Sequence, residues 1–121
     1  MNEPTPESWL PLSEPEFHVL LALGEADLHG YGIIRAVEEA TGGRVRLRTG
    51  TLYTALRRME GRGWVEETED RPAPADDDAR RRYYRVTGRG VAVARAEAKR
   101  LSSLAELARS RGFLPDVPAA G

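Results

Sequence analysis

Residues 44–63 read RVRLRTGTLYTALRRMEGRG, and this stretch decides the fold. Three apolar residues recur in it at spacings of four and three, namely Leu52, Leu56 and Met59. That spacing predicts an amphipathic helix over about 50–61 with one buried stripe. Thr49 is the predicted N-cap, and Gly61 and Gly63 are placed to end the helix.

The face opposite the buried stripe is small, hydroxylated and basic. At about 100° per residue, Gly50, Thr54, Arg57 and Gly61 lie on it, and its flanks carry Thr51, Tyr53 and Arg58. A helix that enters the major groove needs short polar or basic side chains outside, because bulky acids would meet phosphates. This helix meets that condition.

The predicted groove-facing residues are Thr51, Tyr53, Thr54 and Arg57. Arg57 is best placed for a bidentate contact to a guanine edge. Tyr53 either donates to a phosphate or flanks the core, and Arg58 either contacts DNA or lies toward the preceding helix. Arg46 and Arg48, just before the helix, either clamp phosphates or belong to a solvated loop; the Thr49 hydroxyl is near enough to join them.

Two helices precede this one. Ser13 and Glu16 have the spacing of a capping box, which predicts a first helix over about 14–24. Its apolar residues are Phe17, Leu20, Leu21 and Leu23. A second helix is predicted over about 30–41, and Gly42 and Gly43 end it. Its apolar residues are Ile33, Ile34, Val37 and Ala40. Residues 1–12 are rich in proline and acids, which predicts a flexible, loosely packed segment unless Trp9 and Leu10 dock on the body.

A hairpin follows the third helix. WVEETED (64–70) and RRRYYRV (80–86) are predicted strands, in which Tyr84 and Val86 share one face and Tyr83 and Arg85 the other. The linker between them is a Pro/Ala/Asp loop, so the hairpin is a wing. Arg81, Arg82 and Tyr83 are predicted to contact the DNA backbone or minor groove, or else to be a strand that its charge keeps soluble. Asp76, Asp77 and Asp78 would repel phosphate, so the wing tip is expected to point away from DNA or to pair with Arg80–Arg82.

Thr87 is the predicted cap of a long final helix over about 88–111. Its small and apolar residues form a coiled-coil-like seam at three- and four-residue spacing: Val91, Ala94, Ala98, Leu101, Leu104, Ala105 and Ala108. Too little of the chain remains to cover this seam, so a second subunit is the expected cover. The domains predicted are a winged helix over 13–87, a dimerisation helix over 88–111 and a tail over 112–121.

The fold class predicted is mainly α, of the α+β type: a winged helix-turn-helix with a C-terminal dimerisation helix. The net charge of −1 over 121 residues hides a strong segregation of charge. Residues 29–63 carry +4 and residues 80–121 carry +7, separated by −6 over 64–79. Because a surface field depends on where charges lie, two basic blocks are compatible with a nucleic-acid partner.

Three stretches resemble the signature segments of PadR-type regulators, in the same order and at similar spacing. They are HGYGIIRAVEEATGG (29–43), GTLYTALRRMEGRGWVEE (50–67) and RRRYYRVTGRGVAVA (80–94). The resemblance implies a homodimer that binds a pseudo-palindromic operator in double-stranded DNA, usually as a repressor and often released by a small molecule. It also implies a phosphate contact for Tyr31, whose alternative is packing under the first helix.

The chain departs from the resemblance at Thr54, where such proteins usually have proline after GTLY. Threonine restores a backbone donor and adds a hydroxyl to the outward surface, so we expect a changed base preference at one position and retained binding. Selection of operators by the wild type and by Thr54→Pro that returned identical preferences would contradict this.

Other classes of protein fit the sequence less well. An enzyme would need an acid, a base or a nucleophile converging on one site, whereas the acids here lie in solvent-type runs. No cysteine is present and the two histidines lie eleven residues apart, so no cofactor or metal is expected. The chain has neither a membrane-length apolar run nor a signal peptide, which makes the cytoplasm the expected location. The alternative left open is a winged helix that binds protein instead of DNA.

Overall fold

The described residues form helices and a small antiparallel sheet, and the predicted winged-helix fold of the α+β class is confirmed. The computed structural model describes residues 4–69 and 82–118. In chain order the elements are a 3₁₀-helix Pro6–Trp9, α1 Glu14–Glu25, β1 Leu28–His29, α2 Gly30–Ala40, α3 Thr49–Gly61, β2 Val65–Thr68, β3 Tyr83–Val86 and α4 Gly88–Ser110. None of the helices within the described residues is both long and apolar enough to cross a membrane.

The capping residues predicted for the first and last helices are confirmed. The hydroxyl of Ser13 accepts a hydrogen bond from the backbone N–H of Glu16, and the Glu16 carboxylate accepts from the backbone N–H of Ser13, each at 3.2 Å. At the start of α4, the hydroxyl of Thr87 accepts from the N–H of Gly90 at 3.1 Å. These bonds satisfy donors that a helix start would otherwise leave without partners.

The predicted N-cap of α3 is wrong by one residue. The cap position belongs to Arg48, which has extended backbone angles and no capping side-chain bond, so Thr49 is the first residue inside the helix. The carbonyl of Arg48 accepts the first helical bond, from the N–H of Leu52 at 2.9 Å. The extended run of alternating residues before α3 continues through Arg48, which leaves Thr49 to begin the helical turn.

The core lies where α1, α2 and α3 converge on the sheet. The stripe predicted for α3 is fully buried, and Ile33 and Val37 of α2 and Trp64 before β2 lie in the same cluster. On α1 the prediction was wrong in one residue: Val19 is fully buried, whereas Leu21 is exposed. The apolar run VLLAL has more apolar residues than one helix face holds, so its hydrophobicity alone did not identify the outer one.

Within residues 4–69 and 82–118 the sheet has three strands, in the order β1–β3–β2, and both pairs are antiparallel. β1 is two residues long, and sequence analysis missed it. It pairs Leu28 with Tyr84 and His29 with Tyr83, which makes β3 the central strand. Both tyrosines of β3 are buried. Because neighbouring residues of a strand point to opposite faces, side chains are covered on both faces of the sheet at this position.

The N-terminal segment contacts the body from the 3₁₀-helix Pro6–Trp9 onward. The 3₁₀-helix lies against α4, and Trp9 meets Trp64 edge to face with ring centroids 5.7 Å apart. Just after it, the N–H of Leu12 donates to the Glu97 carboxylate on α4 at 2.9 Å. Docking through Trp9 and Leu10, the alternative in the sequence prediction, is what the structure has.

Glu97 offers a matched stability test on α4. We expect Glu97→Ala to lower the free energy of unfolding by about 1–3 kcal/mol, because the buried N–H of Leu12 loses its acceptor. Glu106→Ala removes the exposed i,i+3 partner of Arg109 and should cost under about 0.5 kcal/mol. Denaturant unfolding measures both, and equal losses would contradict the assignment.

The environment of Glu97 also predicts that its contribution to stability depends on pH. Hydrogen bonding from Arg100, opposed by burial and assisted by the Leu12 N–H, lowers the pKa of Glu97 below its ordinary value of 4.5. Its contribution to stability is therefore complete above the pKa of the unfolded chain and is lost as the pH falls through the lower folded pKa. The difference in unfolding free energy between wild type and Glu97→Ala should narrow below about pH 4.5.

Candidate nucleic-acid interface

The outward face of α3 is exposed as the helical angles predict. Thr51, Thr54 and Arg57 are exposed, and none of them is covered by another described element. Thr51 and Thr54 line a shallow groove between α3 and the start of α1, together with Ser13, Pro15, Gly50, Ala55 and Arg58. This face carries hydroxyl and guanidinium groups and no carboxylate, which suits a polyanion.

Tyr53 lies against the start of α2 and is 38% exposed. A Cβ on Gly30 would overlap its hydroxyl oxygen and lie 2.9 Å from Cζ. Gly30 is therefore the residue that lets the ring pack this closely on α2. The hydroxyl end of the ring is the part nearest the buried Gly30, so Tyr53 flanks the core while the residue as a whole stays 38% exposed.

The loop before α3 presents a row of three arginines. Arg44, Arg46 and Arg48 are exposed, whereas Val45 and Leu47 between them face inward. The hydroxyl of Thr41 fixes the start of this loop, because it accepts from the Val45 N–H at 3.0 Å and donates to the Val37 carbonyl at 2.9 Å. Gly42 and Gly43 have φ values of 62° and 84°, which ends α2 as predicted.

Arg44 was missed by sequence analysis, although the alternation of arginine and apolar residues over 44–48 contains the signal. A period of two puts residues 44, 46 and 48 on one face of an extended segment. Arg46 is partly neutralised by Glu38 of α2, with a 3.2 Å separation between Nε and Oε1. All three arginines border a second shallow groove with Glu14, Pro15 and Thr51.

Arg58 lies toward α1 and not toward α2. Its guanidinium is 3.5 Å from a carboxylate oxygen of Glu16, and the Arg62 guanidinium is 3.2 Å from the same oxygen. Arg62 also lies over the rings of Trp9 and Trp64, at 4.7 and 5.0 Å from their centroids. The basic flank of α3 is therefore tied to a buried acid on α1.

Tyr31 is 61% exposed on the first turn of α2, so it does not pack under α1. Its ring is parallel to that of His29, with centroids 6.4 Å apart, and the Arg35 guanidinium lies 5.9 Å from its centroid. His29 caps α2: its Nδ1 accepts from the N–H of Gly32 at 3.0 Å.

The wing strand differs from the prediction at Tyr83. Its side chain is 6% exposed and meets the His29 ring edge to face at 5.2 Å, so it offers almost no surface to DNA. The physical reason is β1, which covers this end of β3. Arg82 is exposed and pairs with Glu67 at 3.3 Å. Arg81 and the predicted wing tip with Asp76–Asp78 lie outside the described residues.

Acidic groups lie at the end of α3 nearest the wing. Burial, and then the neighbouring Glu67, raise the pKa of Glu60, while Arg82 lowers it. Burial is also the main cause that raises the pKa of Tyr84. These carboxylates limit the positive surface at the wing side of α3, and the described part of the chain holds no group of three acids or histidines placed for a metal ion.

The seam predicted on α4 is partly uncovered in the single chain. Only Gly90, Val93 and Glu97 of this helix are buried, and they face the body. Ala98, Leu101 and Leu104 of the seam are exposed, with Leu104 at 54%, whereas Val91, Ala94, Ala105 and Ala108 are half-buried. Ala94 also packs against the core cluster.

Comparison with known proteins gives one family. The profile of the "Transcriptional regulator PadR-like family" matches residues 19–96. A 37.1 kDa protein of transposon TN4556 from Streptomyces fradiae is 33% identical over 92 residues, which are 76% of this chain and 24% of that protein. The chain thus spans about a quarter of that relative's length.

Solved structures share the fold. A transcriptional regulator from Clostridium thermocellum superposes with a TM-score of 0.67 and 22% identity, over 82% of this chain and 96% of that one. A PadR family transcription regulator from Clostridium difficile gives a TM-score of 0.65 and 20% identity, over 81% and 97% of the two chains.

Proposed function

Since this chain belongs to the PadR-like family of transcriptional regulators, we propose that it binds duplex DNA sequence-specifically as a homodimeric repressor. The observation that carries the proposal is the exposed, acid-free face of α3 beside the row of three arginines. In a winged helix, the third helix enters the major groove and the flanking basic residues meet the backbone.

The proposed contacts divide by chemistry. Arg57 and Thr54 point outward from the middle of α3 and would read base edges, with Thr51 and Tyr53 beside them. Arg44, Arg46 and Arg48 in the loop would hold backbone phosphates, as would the adjacent Thr49. Tyr31 and Arg82, further away along the chain, would do the same. Arg58 also lies at this surface, where its guanidinium is paired with the Glu16 carboxylate.

The homodimer is proposed from the uncovered half of α4. After Glu97 the helix continues to Ser110 without burying another residue, and its leucines face solvent. An exposed apolar seam of this kind is stabilised when a second copy covers it. Two α3 helices one helical turn apart would then read a pseudo-palindromic operator.

Release by a small molecule is the remaining part of the proposal. A cleft of about 200 Å³ lies between the N-terminal segment and α4. Its lining includes Trp9, Trp64, Arg62 and Arg89. Both tryptophans of the chain line it, so tryptophan emission reports on it, and an effector that leaves the emission unchanged binds elsewhere.

The test is selection of bound fragments from a genomic library, followed by binding to the selected duplex at increasing salt. About six phosphate contacts predict a loss of affinity on the order of a thousandfold from 50 to 200 mM salt. A protein-binding module would instead ignore duplex DNA even in dilute buffer, and that result would overturn the proposal.

The dimer has a matched pair of variants. We expect Leu104→Glu to give a monomer in sedimentation velocity and to weaken binding to the selected duplex at least tenfold, because a charge in the seam would be buried without a partner. Ser103→Glu adds the same charge to an exposed position outside the seam and should leave the dimer intact. If the Leu104→Glu protein remained a dimer, the seam would not be the dimer interface.

A further inference from the structure

Glu16 is a buried carboxylate whose two oxygens do different things. It lies on the first turn of α1 and is only 3% exposed. Oxygen Oε1 accepts from the backbone N–H of Ser13 at 3.2 Å and from its hydroxyl at 2.9 Å, which completes the capping box. Oxygen Oε2 is turned to α3, where it meets the guanidinium groups of Arg58 and Arg62. Capping needs only the first oxygen.

The two arginines are held to different degrees. Arg62 has a second attachment, since it lies over the rings of Trp9 and Trp64. Arg58 is 44% exposed, and among the described residues its ion pair is with Glu16. Arg58 also borders the groove that Thr51 and Thr54 line on the outward face of α3. A single acid therefore holds back a cation at the edge of the surface proposed for DNA.

We propose that Glu16 is a positioning residue that withholds Arg58 from the DNA backbone and so limits the affinity for phosphate. This inference rests on the proposed function. A guanidinium already paired with a carboxylate in a partly buried site releases fewer counterions when DNA binds than a free one does. The acid thereby leaves more of the binding energy to the base contacts of α3, which carry the sequence information.

Glu16→Gln separates the two roles of the side chain. The amide oxygen of glutamine can still accept from Ser13, while its NH₂ group, turned to α3, offers the arginines no acceptor. We expect the cap to survive and Arg58 to become free for a phosphate. The slope of log K against log salt on a short fluorescent duplex should then steepen by about 0.9, the value of one further phosphate contact. Affinity in dilute salt should rise several-fold.

Three further variants make the measurement specific to Arg58. Arg58→Gln should remove the effect of Glu16→Gln on the slope, because no withheld cation remains. Glu25→Gln makes the same charge change at the exposed other end of α1, where the residue lines neither groove, and should leave the slope unchanged. Ser13→Ala removes the cap but keeps both ion pairs, so it should lower thermal stability without changing the slope.

The outcomes separate the two proposals. If the wild type binds duplex DNA and Glu16→Gln has the same slope, the carboxylate is structural and the positioning role is wrong. If the steeper slope persists in the Arg58→Gln background, the effect is general electrostatics and the positioning role is wrong as well. If the wild type binds no duplex at any salt concentration, the proposed function fails, and this inference fails with it.

Discussion

Replacing Gly90 with alanine will destabilise the fold by about 3 kcal/mol or more, at the upper end of the cost of overpacking. A Cβ at this position would overlap the carbonyl oxygen of Trp64 and lie 2.7 Å from Cγ2 of Val86. This oxygen belongs to the backbone and is held in place, because it also accepts a hydrogen bond from the N–H of Thr87 at 3.0 Å. The first turn of α4 would have to lift off the sheet.

The measurement is thermal or denaturant unfolding, with an expected fall in Tm on the order of 10 °C. Gly88 supplies the control, since it lies in the same turn and a Cβ there meets nothing within 4 Å. Gly88→Ala should leave stability unchanged or raise it slightly, because alanine favours a helix more than glycine does. Equal stability of the Gly90→Ala protein and the wild type would show that the first turn of α4 does not pack on Trp64 and Val86 as described.

Replacing Arg57 with alanine is expected to weaken binding to the selected operator by about 10- to 100-fold, the loss of one bidentate contact to a base. Arg57 is exposed near the middle of the outward face of α3, and no ion pair with a described residue holds it back. The preference at a single base pair should relax in repeated selection, while the salt slope stays nearly constant.

Arg111→Ala is the control for this variant, because it removes the same charge from an exposed position at the far end of α4. Its binding should match that of the wild type. A uniform weakening of Arg57→Ala across all duplex sequences, with a shallower salt slope, would instead assign Arg57 to a phosphate.

Helix positions and helix faces were predictable because they depend on local spacing. The stripe on α3 is buried as predicted, and its opposite face is exposed by the same geometry of 3.6 residues per turn. The N-caps were predicted correctly where a short polar side chain precedes the helix, as at Ser13 and Thr87. The rule failed at Thr49, because the extended loop ends at Arg48, one residue earlier than the type of side chain suggests, and Thr49 already lies inside the helix.

The candidate site was predictable only in part. The helical angles predicted the outward residues of α3. The alternation of arginine and apolar residues over 44–48 predicted the loop arginines, although Arg46 and Arg48 were named and Arg44 was not. Tyr83 was misplaced because its burial depends on β1, a strand of two residues that is too short to leave a periodic pattern. The state of Arg58 depends on Glu16, 42 positions earlier in the chain, and nothing in the local sequence of α3 indicates that acid.

By itself, the amino-acid sequence determined the order of the helices, the ends that glycines and caps impose, and which face of α3 is polar. All of these follow from interactions between residues a few positions apart. The tertiary structure alone decided the docking of Trp9 on Trp64, the bond from Leu12 to Glu97 and the pairing of Glu16 with Arg62. Those contacts join residues 46 to 85 positions apart, and their partners are selected by packing and by the need to satisfy buried polar groups.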